Sequence, residues 1–298
     1  MLLTAATVLP LLLAGCGSSS ASSTPTGGDT ASAAPITAQK DDTIAAEVPA
    51  AIAAKGSLTV AADASYAPNE FFDTDGTTVI GMDADLAHAI GDVLGLPANV
   101  GNAGFDAIIP GLASGKYDLG MSSFTDTKVR EKTVDFVTYF SAGTSFFIKS
   151  GSGVTVNGLD DLCGLSVGVE KGTTQLDDAT AQSKKCTNEG KPAVDVQAFP
   201  DQNAANLALA SGRVKVGMAD SPPAEYQVQQ SNGQLELVGT PYGTAPYGIA
   251  IPKNNGMAKP ILDAMNKLIA DGVYLNILTK WGIQDGAITT PVINGAQS

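Results

Sequence analysis

The amino-acid sequence predicts an α/β protein with two related lobes, each a mostly parallel sheet flanked by helices. Segments with the composition of strands alternate with segments of helical periodicity from residue 58 to about residue 281, and this alternation is typical of parallel sheets. A ten-residue segment also occurs twice, at 112–121 and at 209–218. Each copy ends a predicted helix at Ser-Gly and enters a short apolar strand that ends in Met. The duplication indicates that one helix–strand unit is used in both lobes.

The individual elements follow from local pattern. An Ala-rich stretch that ends at Gly56 predicts a short helix over 44–55, and the Asp-Gly pair at 75–76 predicts a hairpin over 71–80. The further predicted strands are 58–62, 119–121, 134–136, 166–169, 194–196, 214–218 and 247–251. The further predicted helices are 83–94, 105–114, 173–183 and 201–210, with closing helices over 257–281 that are broken at Gly272. The residues from Asp285 onward are expected to be a loose tail.

Composition and charge exclude several classes of protein. The chain has 298 residues, of which 44% are hydrophobic and 16% charged, and a formal net charge of −13. Surfaces that bind nucleic acid or anionic lipid are basic, so this charge argues against both. One His and three Cys leave too little material for a Cys/His transition-metal site. We expect no metal and no cofactor.

The N-terminus predicts export. Residues 2–13 are apolar but too few to span a bilayer, as in the core of a signal peptide. Leu-Ala-Gly-Cys at 13–16 matches the lipobox of bacterial lipoproteins, so we expect a signal peptide over 1–15 and a lipidated Cys16. No Lys or Arg precedes the apolar core, and the alternative is an apolar tail with a chance Cys. The Ser-, Thr-, Ala-, Gly- and Pro-rich residues that follow predict a flexible tether over 16–42, anchored at the outer face of the cytoplasmic membrane.

Two further cysteines, Cys163 and Cys186, remain for the folded region. In an exported protein such a pair forms a disulfide more often than it stays reduced. We therefore expect a disulfide between them. A catalytic thiol would need a His partner, and none is near either cysteine in the sequence.

Polar side chains follow both copies of the repeated strand. The first copy leads into Ser-Ser-Phe-Thr at 122–125 and then Arg130, and the second leads into Asp220. Ligands of open α/β sheets bind beyond the carboxyl ends of strands. A cation from one lobe and an anion from the other would pair with the two ends of a zwitterion. Each residue also has an ordinary alternative role, Arg130 as a solvated surface residue and Asp220 as a helix N-cap.

Several motifs in order resemble one known family over about residues 58–283. They are Tyr-Ala-Pro-Asn-Glu-Phe at 66–71, Gly-Met-Asp-Ala-Asp-Leu at 81–86, Phe-Asp-Ala-Ile-Ile-Pro-Gly-Leu at 105–112, Met-Ser-Ser at 121–123 with Thr125 and Arg130, Lys-Gly-Thr-Thr at 171–174 and Lys-Trp-Gly at 280–282. Together they resemble the polar amino-acid-binding proteins of ABC importers, known as solute-binding family 3. One departure is Asn69, where the family usually has an apolar residue, so either the pocket wall is more polar or this side chain points away.

The resemblance implies a periplasmic-binding-protein-like clamshell with two crossover strands as its hinge. Lobe 1 would comprise 43–143 and 246–285, lobe 2 would comprise 144–245, and 286–298 would be a tail. Such a protein is an extracytoplasmic monomer that captures an L-amino acid and delivers it to an ABC permease. It is not an enzyme.

The resemblance also implies roles for individual residues. Arg130 would pair with the α-carboxylate of the amino acid, and Asp220 would bind its α-ammonium. Tyr66 and Phe105 would hold its side chain between rings. The candidate ligand-binding residues are Asp63, Tyr66, Phe105, Ser122, Ser123, Thr125, Arg130, Glu170, Thr173, Thr174 and Asp220. On sequence grounds alone, the segment around Glu170 is also compatible with an ordinary strand-to-helix turn.

The carboxylates near the expected pocket favour a cationic ligand. Asp63 and Glu170 directly follow predicted strands, and Glu70 is close in sequence to Tyr66. An arginine guanidinium can stack on an aromatic ring and bind a carboxylate with two N–H groups. Arginine-binding relatives carry Glu at the position of Glu170, which adds to this hypothesis. Because Lys171 could neutralise Glu170, glutamine or asparagine is the alternative ligand.

Two other functions use the same fold. Some relatives are dehydratases of cyclic, prephenate-like acids, and Glu170 could serve as the required acid. A protein that presents its ligand to a membrane receptor would use the same pocket. The sequence favours a binding protein over an enzyme, whereas only the identity of the partner would separate a transport protein from a sensor.

Overall fold

Strands and helices alternate throughout residues 36–297, the part of the chain that our computed structural model describes. The strands are β1 (Leu58–Ala62), β2 (Ser65–Tyr66), β3 (Glu70–Phe72), β4 (Val79–Ile80), β5 (Ala98–Asn102), β6 (Leu119–Gly120), β7 (Val134–Lys149), β8 (Ser166–Glu170), β9 (Asp195–Phe199), β10 (Val216–Asp220) and β11 (Leu235–Pro252). The helices are α1 (Asp42–Ala45), α2 (Ala50–Ala53), α3 (Met82–Leu94), α4 (Phe105–Ala113), α5 (Thr174–Asn188), α6 (Gln202–Ala210), α7 (Ser221–Gln230), α8 (Ala258–Ala270) and α9 (Val273–Trp281).

Two long antiparallel strands, β7 and β11, connect two groups of parallel strands. The large sheet has the order β5-β1-β6-β11-β7-β10-β8-β9. Strand β1 is parallel to β5 and β6 on one side, and β8 is parallel to β9 and β10 on the other. Strands β2, β3 and β4 form a separate small antiparallel sheet. The predicted α/β clamshell with a two-strand connection is confirmed.

The duplicated segment forms the same local structure twice. In both copies a helix, α4 or α6, ends at a Ser and is followed by a Gly with positive φ, +75° at Gly115 and +78° at Gly212. The Gly N–H donates to the carbonyl three residues back, and the next N–H donates to the carbonyl five residues back. This is the usual glycine-dependent end of a helix, because a residue with a Cβ is strained at such a φ. The chain then enters β6 or β10.

Each parallel group has its own apolar core. Side chains of α3, α8 and α9 pack on the β1 side, with Leu86, Ile90 and Ile261 fully buried. The core on the β8 side includes Val167 and Val169 of β8, together with side chains of α5, β9 and β10. Strands β7 and β11 contribute to both sides. Their pairing is irregular between Val238 and Gly248, and the expected lobe boundaries after 143 and 245 remain predictions.

The predicted disulfide is confirmed. Cys163 and Cys186 are bonded, with their Cα atoms 5.7 Å apart. The bond ties the turn before β8 to the end of α5, where Cys186 is fully buried. A closed loop of this size stabilises the fold by about 3 kcal/mol, mainly by constraining the unfolded chain.

The two ends of the described chain differ from expectation. The predicted signal peptide, Cys16 and most of the tether lie outside the described residues. Ile36 and Ala38 already pack against the core, and the Ala38 N–H donates to Asp92, although the tether was expected to reach residue 42. The expected helix over 44–55 is two short helices, α1 and α2, with Pro49 at the N-cap of the second. None of the helices described is both long and apolar enough to cross a membrane.

The prediction of a loose C-terminal tail was wrong. Residues 292–296 lie along β7, and the Asn294 N–H donates to the Phe136 carbonyl at 2.9 Å. The Gly286 backbone packs against the Phe140 ring. Ordering of this segment depends on backbone hydrogen bonds to a distant strand, which the local sequence does not reveal.

Candidate functional site

A small cavity lies where loops and helix ends from both parallel groups meet. Its lining comprises Tyr66, Phe105, Ser123, Thr125, Arg130, Thr173, Thr174, Gln175 and Asp220. All of these except Gln175 are candidate residues from the sequence. The structure therefore brings both halves of the predicted constellation into one place.

Arg130 spans this cavity. Its Nη1 donates to the Thr125 carbonyl and its Nη2 to the Gly172 carbonyl, both at 2.8 Å. The guanidinium carbon lies 5.4 Å from the ring centroid of Phe105 and 5.5 Å from that of Phe124. A guanidinium has five N–H donors, and the bonds to these two carbonyls leave others for an anion. Arg130 is a positioned cation rather than a solvated surface residue.

The N-terminus of α5 faces the same cavity. Thr173 caps this helix, since its Oγ1 accepts from the Leu176 N–H at 3.2 Å and donates to the Glu170 carbonyl at 2.7 Å. Thr174 is the first residue of the helix. Backbone N–H groups at a helix N-terminus attract anions. The cavity thus has a second positive element beside Arg130.

Asp220 supplies the negative element. Its Oδ1 accepts from Gln175 Nε2 and its Oδ2 from the Tyr247 hydroxyl, both at 2.7 Å. The carboxylate makes no bond to the helix that follows, so it is not a side-chain N-cap. Burial raises the pKa of Asp220 to about 6, although the bonds from Tyr247 and Gln175 and the charge of Arg130 oppose this rise. Sequence reasoning missed Gln175 and Tyr247 because long-range packing alone brings them to Asp220.

Glu170 and Asp63 are buried close to this cavity without lining it. Glu170 is 1% exposed, and neither of its carboxyl oxygens has a hydrogen-bond partner among the residues described. Burial, followed by the negative charge of Asp63, raises the pKa of Glu170 to about 9. Asp63, in contrast, accepts from Ser65 Oγ at 2.6 Å and from the Phe105 N–H at 2.9 Å. Asp63 therefore holds the start of α4, whereas Glu170 makes no hydrogen bond among the described residues, and the nearby Tyr66 hydroxyl only partly opposes the rise in its pKa.

Ser122 does not reach the cavity. Its hydroxyl accepts from the Asp63 N–H at 2.8 Å and donates to Glu70 Oε1 at 3.2 Å. It is fully buried. This serine supports the loop after β6 instead of facing a ligand.

Two buried acids, Glu70 and Asp83, hold the loop that presents Ser123. The φ of Ser123 is +50°. The Ser123 N–H donates to Asp83 Oδ2 at 2.9 Å, and its hydroxyl donates to Glu70 Oε2 at 3.1 Å. Asn69 donates to the Ser123 hydroxyl at 2.9 Å, so this departure from the family pattern supports the loop rather than the pocket wall. Positive φ is strained for a residue with a Cβ, and these bonds offset the strain. Glu70 is thus part of the scaffold and does not face a ligand.

Both acids have raised pKa values. Glu70 and Asp83 are fully buried. Burial and the adjacent charge of Asp83 raise the pKa of Glu70 well above its usual range, and burial raises that of Asp83 to about 6. Like-charged carboxylates at close quarters favour a state that shares one proton.

Within residues 36–297, no group of three or more His, Cys, Asp or Glu side chains is arranged to hold a metal ion.

Comparison with known proteins identifies the family. Residues 58–284 match the bacterial extracellular solute-binding proteins, family 3. The chain belongs to this family. The match covers nearly all of the folded region, including every element around the cavity.

The relatives of this family 3 protein bind amino acids. The arginine-binding protein ArgT of Corynebacterium glutamicum is 33% identical over 252 residues, which cover 84% of this chain and 82% of ArgT. The structure of an ancestral arginine-binding protein bound to arginine matches with a TM-score of 0.70 and 36% identity, covering 76% of this chain and 98% of that one. The structure of an ancestral arginine-binding protein bound to glutamine matches with a TM-score of 0.70 and 35% identity. That match covers 76% of this chain and 98% of the other.

The Glu70–Asp83 pair predicts a pH dependence of folding stability. A carboxyl whose pKa is raised on folding keeps its proton in the folded state after the unfolded chain has lost it, so stability falls as pH rises. For Glu70 this fall begins near its ordinary pKa of 4.5 and extends to its raised value. The free energy of unfolding, measured with urea at pH 5 and at pH 8, should fall between these two pH values. The fall should be smaller in Glu70→Gln than in the wild type. Equal losses in both proteins would contradict the shared-proton description.

Proposed function

We propose that this protein captures L-arginine, or a similar basic L-amino acid, in the cavity between its two lobes and delivers it to an ABC permease. The observation that carries the proposal is Glu170, a buried acid with no hydrogen-bond partner among the described residues. A family 3 binding protein has no catalytic need for such a group. A cationic ligand side chain supplies its missing partner.

The two charged ends of an amino acid fit the two sides of the cavity. The α-carboxylate pairs with the free N–H groups of Arg130 and with the N-terminus of α5 at Thr174. The α-ammonium pairs with Asp220, which Gln175 and Tyr247 hold in place. A zwitterion removed from water needs partners for both charges, because unpaired desolvation costs more than the ligand contacts return.

The acids beyond the cavity suit a guanidinium. Glu170 lies close enough to Asp63 and Asp201 for their charges to raise its pKa, so this region is strongly acidic. The rings of Tyr66 and Phe105 line the cavity next to this acidic region. Their centroids are 6.1 Å apart and their planes are inclined by 31°. Planar guanidinium groups stack on such rings and bind carboxylates with two N–H groups. Binding of the cation would drive the proton from Glu170.

A ligand screen tests this assignment. Protein from residue 17 onward, freed of bound ligand, would be melted in the presence of each common amino acid. At a hundredfold excess over Kd a true ligand stabilises by about 2.7 kcal/mol, a visible shift in Tm. We expect arginine to give the largest shift, followed by lysine or ornithine, and Glu170→Gln to lose this preference.

The pH dependence of binding separates arginine from glutamine. A neutral Glu170, with a pKa near 9 in the empty site, can hydrogen-bond an amide without losing its proton. Arginine would displace the proton, so its affinity should rise from neutral pH towards about 9, by up to about tenfold per pH unit. Glutamine affinity should stay flat. A screen headed by glutamine with flat pH dependence would favour the amide ligand and reject the basic one.

The assignment of the two ligand charges is tested by truncation. Removing the side chain of Arg130 or Asp220 leaves one charge of the ligand without its partner, at a cost of about 2–5 kcal/mol. Arg130→Ala and Asp220→Ala should each weaken binding by at least about thirtyfold in titration calorimetry. Thr187→Ala, at an exposed position near the end of α5, is the matched control and should bind as the wild type does. Near wild-type affinity in either charge variant would refute the assignment.

A dehydratase is a weaker candidate, although one observation favours it. Glu170 is protonated at neutral pH, as a general acid must be. A cyclic acid without an α-ammonium, however, would leave Asp220 without a partner. Binding therefore accounts for more of the site than catalysis does.

We also propose that the protein is anchored to the outer face of the cytoplasmic membrane through lipidated Cys16. The proposal rests on the lipobox at 13–16 and the polar stretch after it. Stable attachment needs more than one acyl chain, and a diacylated Cys with a further chain meets this need. Metabolic labelling with a palmitate analogue should mark the wild type and not Cys16→Ala. Label retained in the variant would rule the anchor out.

A further inference from the structure

The C-terminal residues 292–296, here named the C-terminal strap, pair antiparallel with the first part of β7. The Thr138 N–H donates to the Val292 carbonyl, and the Asn294 N–H donates to the Phe136 carbonyl, both at 2.9 Å. The Phe136 N–H in turn donates to the Asn294 side-chain oxygen at 2.9 Å. Strand β10 pairs with β7 only from Thr144 onward, so the strap covers an edge that β10 leaves open.

The strap also binds the loop that carries Arg130. The Gly295 N–H donates to Asp126 Oδ2 at 2.7 Å, and the Ala296 N–H donates to Glu131 Oε1 at 3.2 Å. Asp126 directly follows Thr125, and Glu131 directly follows Arg130. Asp126 is only 2% exposed. The strap therefore holds the loop immediately beside two residues that line the cavity.

On its other side, the same loop is held by β11. The Asp126 N–H donates to the Pro246 carbonyl at 2.9 Å, and Thr125 forms a bridge with Tyr247. The Thr125 carbonyl then accepts from Arg130 Nη1. The carbonyl that orients the guanidinium is thus fixed between β11 and the strap.

We propose that the C-terminal strap is a positioning element for the binding site, which holds Thr125 and Arg130 in the geometry that receives an anion. The family match ends at residue 284, so the strap lies outside the matched region. The proposal rests on the proposed function only for the identity of the ligand. Without the strap, the loop gains conformational freedom that binding must then remove, which lowers affinity.

Two truncated chains form a matched pair for the test. A chain that ends at Thr290 lacks the strap, whereas a chain that ends at Ala296 keeps all of its backbone bonds to β7, Asp126 and Glu131. We expect the first to bind arginine about tenfold more weakly than the wild type and the second to match it. In the background of Arg130→Ala, loss of the strap should have little further effect, because the strap acts through that residue.

Hydrogen exchange in the ligand-free protein provides a readout that does not depend on the ligand. In the chain that ends at Thr290, amides of 125–131 should exchange faster, while those of β8 (Ser166–Glu170) should be unchanged. If that chain does not fold, Asn294→Ala in the full chain is the second variant, since Asn294 bonds β7 with its side chain at a φ of +55°.

The outcomes separate the two proposals. Faster loop exchange with no arginine binding by the wild type would reject the proposed ligand and leave the strap supported. Wild-type affinity and unchanged loop exchange in the chain that ends at Thr290 would overturn the strap proposal. An affinity loss that adds fully to that of Arg130→Ala would overturn it as well, because the strap would then act elsewhere.

Discussion

The site depends on burial of carboxylates that need hydrogen-bond donors from other elements. Asp63, Glu70, Asp83 and Asp220 are each less than a tenth exposed. Burying such a group without partners costs several kcal/mol, so each acid fixes the position of the groups that donate to it. Asp63 holds the start of α4, and Glu70 with Asp83 holds the loop at Ser123. Asp220 joins α5 to β11 through its two donors. The walls of the cavity are therefore set by buried acids.

Glu170 differs from these four acids because its oxygens accept no hydrogen bond among the residues described, and the Tyr66 hydroxyl nearby only partly opposes the rise in its pKa. The protein tolerates it by raising its pKa, so that the group is neutral while the site is empty. The scaffold acids use their interactions to define shape, whereas the carboxyl group of Glu170 is left for the proposed ligand. Under that proposal, the same residue types provide both the frame and the ligand contact.

The long strands β7 and β11 place this frame between two cores. Each strand contributes side chains to both sides of the molecule, and their pairing becomes irregular between Val238 and Gly248. Irregular pairing with few shared bonds is suited to the hinge of a clamshell. The C-terminal strap pairs with β7 well before this stretch, at Phe136 and Thr138. All of its bonds to β7 therefore lie on the β1 side of the irregular stretch.

The sequence by itself determined the features that depend on local pattern. The strand and helix alternation and the Ser-Gly helix ends arise from residues within a few positions of one another, and the motifs around Arg130 are contiguous. The disulfide followed from having two cysteines in the folded region of a chain predicted to be exported. Tertiary structure alone decided which acids have partners. Gln175 and Tyr247 reach Asp220 from other elements, Ser122 turns to Glu70, and the strap crosses from residue 294 to Phe136. These contacts join residues far apart in the chain, and no local periodicity encodes them.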